Sequence, residues 1–288
     1  MPTSWRQPGT AVAPPRLRRR GPPAKDDKVS AIDLPGAASW LTGVHHLSVL
    51  TGAGISTDSG IPDFRGPSGV WTRNPAAEKM ATYQAYVSDP EVRLRSWQNR
   101  LAHPAWTAQP NGAHLALARI AGHLDTWVIT QNIDGLHQRA GVRSERVLEL
   151  HGTMHAVVCV GCGDRTGMQE ALARVRAGED DPRCAGCGGI LKSATVMFGQ
   201  PLDQTVFAGA VAAASAADLF IAIGSTLIVE PAASLCAVAV RAGARLVIVN
   251  RDPTPYDSIA TAVIRQPIGE AVPAIAERLL AGRSDRAG

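Results

Sequence analysis

Compact, largely apolar segments recur along the chain at His45–Leu50, Trp127–Thr130, Val147–Leu150, Leu219–Ile223 and Leu246–Val249. Little polar alternation interrupts them, which predicts strands covered on both faces. The stretches between them change period: Leu115, Leu117, Ile120 and Leu124 fall at helical spacing and predict a helix over Ala113–His123. Helices are also predicted at Ala31–Leu41, Glu91–Leu101, Gly135–Ala140, Asp203–Ser215, Pro231–Ala242 and Ile268–Leu280. Six strands of this kind, five of them placed above, joined by short helical crossovers, argue an α/β fold built on a Rossmann-type, doubly wound parallel sheet. Two stretches break the alternation. Residues 67–112 carry Trp71, Trp97 and Trp106 in a polar, partly helical context and read as a helical insertion or lid; residues 154–193 read as a separate small module.

The first strand runs into a glycine turn, Gly52-Ala53-Gly54, followed by Ile55 and Ser56. Glycines there let the backbone turn tightly and approach a ligand where a Cβ would clash, and N–H groups at the next helix start suit a pyrophosphate. The spacing is not the full GxGxxG fingerprint, and a plain turn explains it as well. The continuation, Asp63-Phe64-Arg65, sets an acid, an aromatic face and a guanidinium side by side in a loop bounded by proline and glycine. Such a costly set is expected to meet a ligand.

The second strand ends at Gln131, Asn132 and Asp134, at the edge where open parallel sheets bind ligands. Helix capping explains one of these polar residues, not all three. The third strand delivers His151 and Gly152 to the same edge, where an imidazole suits a general base at neutral pH. The other seven histidines default to structural roles. Gly224, Ser225 and Thr226 form a further small-residue turn, and Asn250 stands at the end of a strand, where ribose-binding groups lie in nucleotide folds.

Cys159, Cys162, Cys184 and Cys187 form two CxxC knuckles separated by 21 residues, the spacing of four-thiolate zinc sites. Four protein thiolates leave no open coordination position, so one structural Zn2+ is expected to hold a module too poor in apolar residues to fold without it. Disulfides and redox dithiols are the competing readings; the first lacks an export signal and the second does not explain paired knuckles. Cys236 reads as a buried thiol.

Composition changes this picture only at the N-terminus. Residues 1–28 hold seven Arg or Lys against two Asp, which carries the net charge of +4 and leaves the remainder near neutral. That tail, rich in proline and arginine, reads as disordered, with a weak polyanion contact as its one nucleic-acid argument. No apolar run approaches the roughly 18 to 20 residues of a membrane span, and a cytoplasmic protein is expected. The expected organisation is a tail at 1–28, a Rossmann-type domain at 29–153 and 194–288, and a zinc module at 154–193.

Taken together, GAGISTDSGIPDFRG, TQNID, LHG, the two knuckles, VMFGQPL, GSTLIVEP and VIVN occur in the order of the sirtuin family, and over about residues 30 to 285 the chain resembles an NAD-dependent protein-lysine deacylase. The resemblance implies that NAD and an extended acyl-lysine protein or peptide meet in a cleft beside the zinc module. It implies that Gly52, Ala53, Gly54 and Ser56 face the pyrophosphate side and that Asp63, Phe64 and Arg65 form a mobile cofactor loop with Trp71. Gln131, Asn132 and Asp134 would hold the nicotinamide and its ribose, and Gly224, Ser225, Thr226, Asn250 and Ile268 the adenosine side. His151 would be the base: the acyl oxygen attacks C1′ of the ribose, nicotinamide leaves, and His151 activates a ribose hydroxyl to attack the resulting imidate, ending in O-acyl-ADP-ribose. Strands around Val196–Phe198 and Leu227–Val229, with Gly199, would flank the peptide. Gln200 replaces the carboxylate of the family's usual FGE. Trp97 and Arg100 resemble the Tyr-x-x-Arg pair that recognises acidic acyl groups, which implies acceptance of succinyl-type as well as acetyl chains. Protein mono-ADP-ribosyl transfer and a non-enzymatic NAD or ADP-ribose sensor are the alternatives.

Overall fold

The computed structural model describes residues 39–66, 69–74 and 81–284. The basic tail at 1–28, residues 31–38 of the first expected helix, and parts of the helical insertion lie outside them. Strand β1 (His46–Thr51) opens the fold and runs into a 3-10 helix at Ala53–Ser59 rather than an α-helix. The insertion follows as α1 (Val70–Arg73), α2 (Tyr83–Ser88) and α3 (Pro90–Leu101). Asp89 caps α3 by accepting the Glu91 N–H, and Pro90 occupies the first turn, where its missing N–H costs nothing. Next come α4 (Gly112–Ala121), β2 (Asp125–Thr130), α5 (Leu136–Arg139) and β3 (Val147–Glu149). The small module contains β4 (Gly152–Cys159), β5 (Arg165–Gly167), α6 (Met168–Arg176) and β6 (Leu191–Thr195). The chain then returns through α7 (Gln204–Ala216), β7 (Leu219–Ile223), α8 (Leu235–Arg241), β8 (Arg245–Val249), β9 (Ala262–Ile264) and α9 (Ile268–Ser284).

Among the described residues, one parallel sheet runs in the order β3-β2-β1-β7-β8-β9, and β5-β4-β6 form a separate antiparallel sheet. The sixth parallel strand is β9, too short for its apolar pattern to place. Successive strand residues enter opposite cores: Leu47, Val49, Ile221 and Val247 pack with Leu117 of α4 and Val272 of α9, while Leu50, Phe220, Ala222 and Leu246 pack with α7 and α8. Burial on both faces explains why these strands read as nearly unbroken apolar runs.

Two expected strands are corrected. β6 ends at Thr195; Val196 and Met197 join no ladder, and Phe198 makes only an isolated bridge to Thr82. Leu227 takes a left-handed conformation with φ 53°, so 227–229 is not a strand. The small module also has an apolar core that its composition did not suggest. Val157, Met168, Leu172, Val175 and Leu191 form a core that Trp97 of α3 completes.

Candidate active site

The strand order reverses between β1 and β7, and the two turns that follow them meet there. Gly52 N–H donates to Ile223 O and Gly54 N–H to Gly224 O, both at 2.9 Å. A Cβ on Gly52 would lie 2.7 Å from Gly224 O, and one on Gly54 2.8 Å from Gly224 Cα. Gly224 itself has φ 62°. The glycines are therefore required by the contact between two turns, in addition to any ligand. Ser56 is buried, and its hydroxyl donates to Asp134 Oδ2 at 2.8 Å.

Asp134 is 5% exposed, and its second oxygen accepts the Leu136 N–H at 2.9 Å, so both carboxylate oxygens are engaged. Asn132 donates its side-chain amide to Gly52 O at 3.1 Å and Ser56 Oγ at 3.2 Å, which leaves its Oδ1 available to a ligand. Gln131 ties the end of β2 to the turn after β7 through Ser225 Oγ at 2.9 Å. Its backbone carbonyl holds His151: Nδ1 lies 2.9 Å from Gln131 O, so Nδ1 carries the proton and donates. Burial holds the His151 pKa below the usual 6.5, against the opposing pull of that hydrogen bond. The ring is thus neutral at neutral pH, with Nε2 as a bare acceptor.

All of these groups except the fully framed backbone line one cleft of about 1560 Å³. Asp63, Phe64, Arg65 and Trp71 form another part of its wall. Asp63 Oδ1 accepts the Gly66 N–H at 2.9 Å, and the rings of Phe64 and Trp71 lie 4.6 Å apart with the Arg65 guanidinium 4.4 Å over Trp71. Trp71 in turn sits 5.5 Å from Phe198. Thr226, Ile268 and Asn250 line the far end with Arg251 and Arg265; Arg265 donates to the Asn250 carbonyl at 2.8 Å. Val196 and Gly199 also line the cleft, and Gln200 Oε1 accepts the Met197 N–H at 3.1 Å, so its amide shapes the local backbone.

The acyl-clamp expectation needs correction. Trp97 is fully buried in the core of the small module and does not line the cleft, because its side of α3 faces away from it. Arg100, one turn on, does line the cleft; it is half-buried and donates to Ser96 O at 3.1 Å. Beside it stand Asn99 and His103, neither of which the sequence marked. Nothing in their spacing separated them from the exposed side of an ordinary helix.

The four cysteines come together as expected. Their Sγ atoms all lie within 4.8 Å of one another, with Cys159 and Cys187 at 3.5 Å and Cys162 and Cys184 at 3.8 Å. A tetrahedron with Zn–S bonds of about 2.3 Å has edges of about 3.8 Å, so the set fits Zn2+. Cys159 Sγ accepts the Cys162 N–H, a contact that favours the thiolate a metal requires. A Cβ on Gly189 would lie 2.9 Å from Cys159 Sγ, so the knuckle also needs glycine there.

The Sir2 family model matches residues 52–231 of the chain. The chain belongs to the Sir2 family. Among its Sir2 relatives, NAD-dependent protein deacetylase 2 of Streptomyces coelicolor is 56% identical over 236 residues, covering 82% of this chain and 98% of that protein. NAD-dependent protein deacetylase 1 of Bradyrhizobium diazoefficiens is 47% identical over 224 residues, covering 76% and 86%. Of the solved Sir2 structures, a complex with a p53 peptide and NAD+ superposes with TM-score 0.73 at 37% identity, covering 85% of this chain and 96% of that one. A Sir2 complex with a deacetylated p53 peptide and 3'-O-acetyl ADP ribose gives 0.75 at 37% identity, covering 83% and 95%. The Rossmann-type sheet and four-cysteine module of this chain thus belong to a fold that superposes on these Sir2 structures over most of their length. Within the described residues of this Sir2 chain, no helix is long and apolar enough to cross a membrane.

Proposed function

We propose that the chain removes acyl groups from lysine side chains of proteins or peptides at the expense of NAD, releasing nicotinamide and O-acyl-ADP-ribose. The observation that carries this reading is His151. Its Nδ1 proton is committed to Gln131 O, so the one free lone pair of the ring is Nε2, and the ring stands in the cleft that Asn132, Asp134 and the switch-point glycines also line. That is the protonation state of a general base, and burial keeps it so at neutral pH.

NAD supplies an electrophilic ribose carbon with a neutral leaving group, so the protein needs no nucleophile of its own. Its residues then have distinct tasks. Asn132 Oδ1 is free to orient the ribose and the carboxamide beside it. Asp134, fully engaged by Ser56 and Leu136, acts as a fixed negative wall. Phe64, tilted against Trp71, shields the reacting carbon from water. His151 accepts a proton from a ribose hydroxyl through Nε2. The thiolates of Cys159, Cys162, Cys184 and Cys187 would hold Zn2+, and four protein thiolates would give it a structural rather than a chemical task. Val196, Phe198 and Gly199 border the acyl-lysine substrate, and Arg100 sets the far wall of the acyl site.

Protein mono-ADP-ribosyl transfer shares the cleavage of NAD but needs no acyl-lysine, and a sensor needs no base. Nicotinamide release is therefore expected only when an acyl-peptide is present. His151→Ala should keep NAD and peptide binding and lower turnover by roughly 10²- to 10⁴-fold, the usual scale of a lost general base. Equal nicotinamide release without acyl-peptide, or unchanged turnover in the variant, refutes the proposal.

A further inference from the structure

Behind the cleft lies a buried polar pair that the chemistry above does not use. His114, on α4, is 0% exposed and His137, on α5, is 1% exposed; their ring centres are 5.0 Å apart. Each ring has one nitrogen engaged and one, His114 Nε2 and His137 Nδ1, buried without a partner. Buried polar atoms in folded proteins are paired, so two unpaired ones on neighbouring rings point to a shared donor or acceptor.

The engaged nitrogens favour one tautomer of each ring. Asn111 donates its amide nitrogen to Ile55 O at 2.8 Å and Ser59 Oγ at 3.0 Å, which identifies the atom facing His114 as Oδ1. His114 Nδ1 lies 3.0 Å from that acceptor and 3.4 Å from the Asn111 N–H, which it would accept in a capping box; the shorter contact is the basis for assigning the proton to Nδ1. His114 Nε2 is then a bare lone pair. On the other ring, Thr51 Oγ1 donates to Thr130 Oγ1 at 2.8 Å and therefore accepts from His137 Nε2 at 2.9 Å. His137 Nδ1 is bare as well. Two lone pairs cannot satisfy each other, whereas a single donor of two hydrogens satisfies both, and water is the smallest.

We propose that one buried water donates to His114 Nε2 and His137 Nδ1, and that His137 is thereby a positioning residue for the active site. The completed chain runs from Asn111 through His114, the water, His137 and Thr51 to Thr130, whose hydroxyl oxygen accepts the Asn132 N–H at 3.0 Å. Asn132 is the residue whose Oδ1 is read above as facing the nicotinamide ribose, and this inference rests on that reading. Burial agrees with two uncharged rings: it lowers the His114 pKa to about 4, with Asp134 opposing, and the His137 pKa to about 3, with His114 adding to the effect.

The tautomers are testable without any activity. In protein labelled with nitrogen-15 histidine, long-range proton–nitrogen spectra at pH 7.5 should show both rings neutral, with the proton on Nδ1 of His114 and on Nε2 of His137. A crystal structure of the full chain should show one water between them. In kinetics, His137→Leu should lower kcat for nicotinamide release by about 10- to 100-fold, the scale of a misplaced active-site group, with the KM for acyl-peptide within about 2-fold. His137→Gln, whose amide can donate to Thr51 and whose oxygen can accept from the water, should recover most of kcat. Either ring in the other tautomer, a protonated ring, no water, or an unchanged kcat in His137→Leu overturns the proposal. Wild-type protein that fails to release nicotinamide with any acyl-peptide refutes the functional reading, and the spectra then still decide this one.

Discussion

The same histidine pair makes a quantitative prediction for stability on the acid side. His114 and His137 are held neutral in the fold, at pKa values of about 4 and about 3, chiefly by burial. In the unfolded chain both return to about 6.5. Between those limits the unfolded state binds protons that the native state does not, so stability is complete above about pH 6.5 and is lost as the pH falls. At pH 5 each unfolded imidazole gains about 2 kcal/mol from protonation while the native rings gain almost nothing, a loss of about 4 kcal/mol for the pair relative to pH 7.5. The depressed carboxylates of Asp218, Asp252 and Asp257 act at lower pH, and the raised Glu149 acts in the opposite sense. These contributions, and any change in zinc affinity, are common to wild type and a single histidine variant. Denaturant unfolding of wild type and His137→Gln at pH 7.5 and 5.0, with zinc present throughout, therefore isolates one ring. The variant should lose about 2 kcal/mol less than wild type between the two pH values. Identical losses would show that His137 is not a buried neutral imidazole and would refute the reasoning.

Three further outcomes follow from the geometry. Gly54→Ala places a Cβ 2.8 Å from Gly224 Cα, backbone against backbone, and should cost about 1–3 kcal/mol with a raised KM for NAD; an unchanged melting temperature excludes the tight turn-to-turn contact. Cys187→Ser should abolish stoichiometric zinc by elemental analysis and lower the melting temperature, while retention of metal and stability would remove the four-thiolate site. Arg100→Met should raise the KM for succinyl-lysine peptide and spare acetyl-lysine peptide, because a guanidinium pairs with a terminal carboxylate. Equal effects on both peptides assign Arg100 to packing.

The parallel sheet was legible because burial on both faces leaves its mark in the sequence. Leu219–Ile223 and Leu246–Val249 have no polar position to spare, and both form strands as expected. The zinc ligands were legible because two thiolate pairs at that spacing suit a tetrahedral metal ion and little else. The cleft position of His151 was legible from its place just past a strand's end. What escaped detection depends on contacts between segments remote in sequence. β9 is three residues long and takes its identity from pairing with β8. Gly52 and Gly54 were read as clearance for a ligand, whereas Gly224, far along the chain, is what a Cβ would strike. His103 and Asn99 carry no periodic signal that separates a cleft wall from a solvated helix face.

Trp97 shows why helix spacing alone misassigned a residue and what the correct assignment implies. On α3, positions 97 and 100 are nearly one turn apart, close enough to suggest a shared ligand. The pair does touch, with the Arg100 guanidinium 5.9 Å from the Trp97 ring centre, yet only Arg100 borders the cleft, while Trp97 enters the core built by Val157, Met168 and Leu172. That core also contains Cys159 and Cys184, two of the four metal ligands. Loss of the metal is therefore expected to loosen the core that seats Trp97 and, through α3, the stretch of cleft wall at Arg100. If that packing carries the effect, a variant that loosens the Trp97 core should raise acyl-peptide KM while leaving the His151–Gln131 contact, which belongs to the parallel sheet, in place; an unchanged KM refutes it.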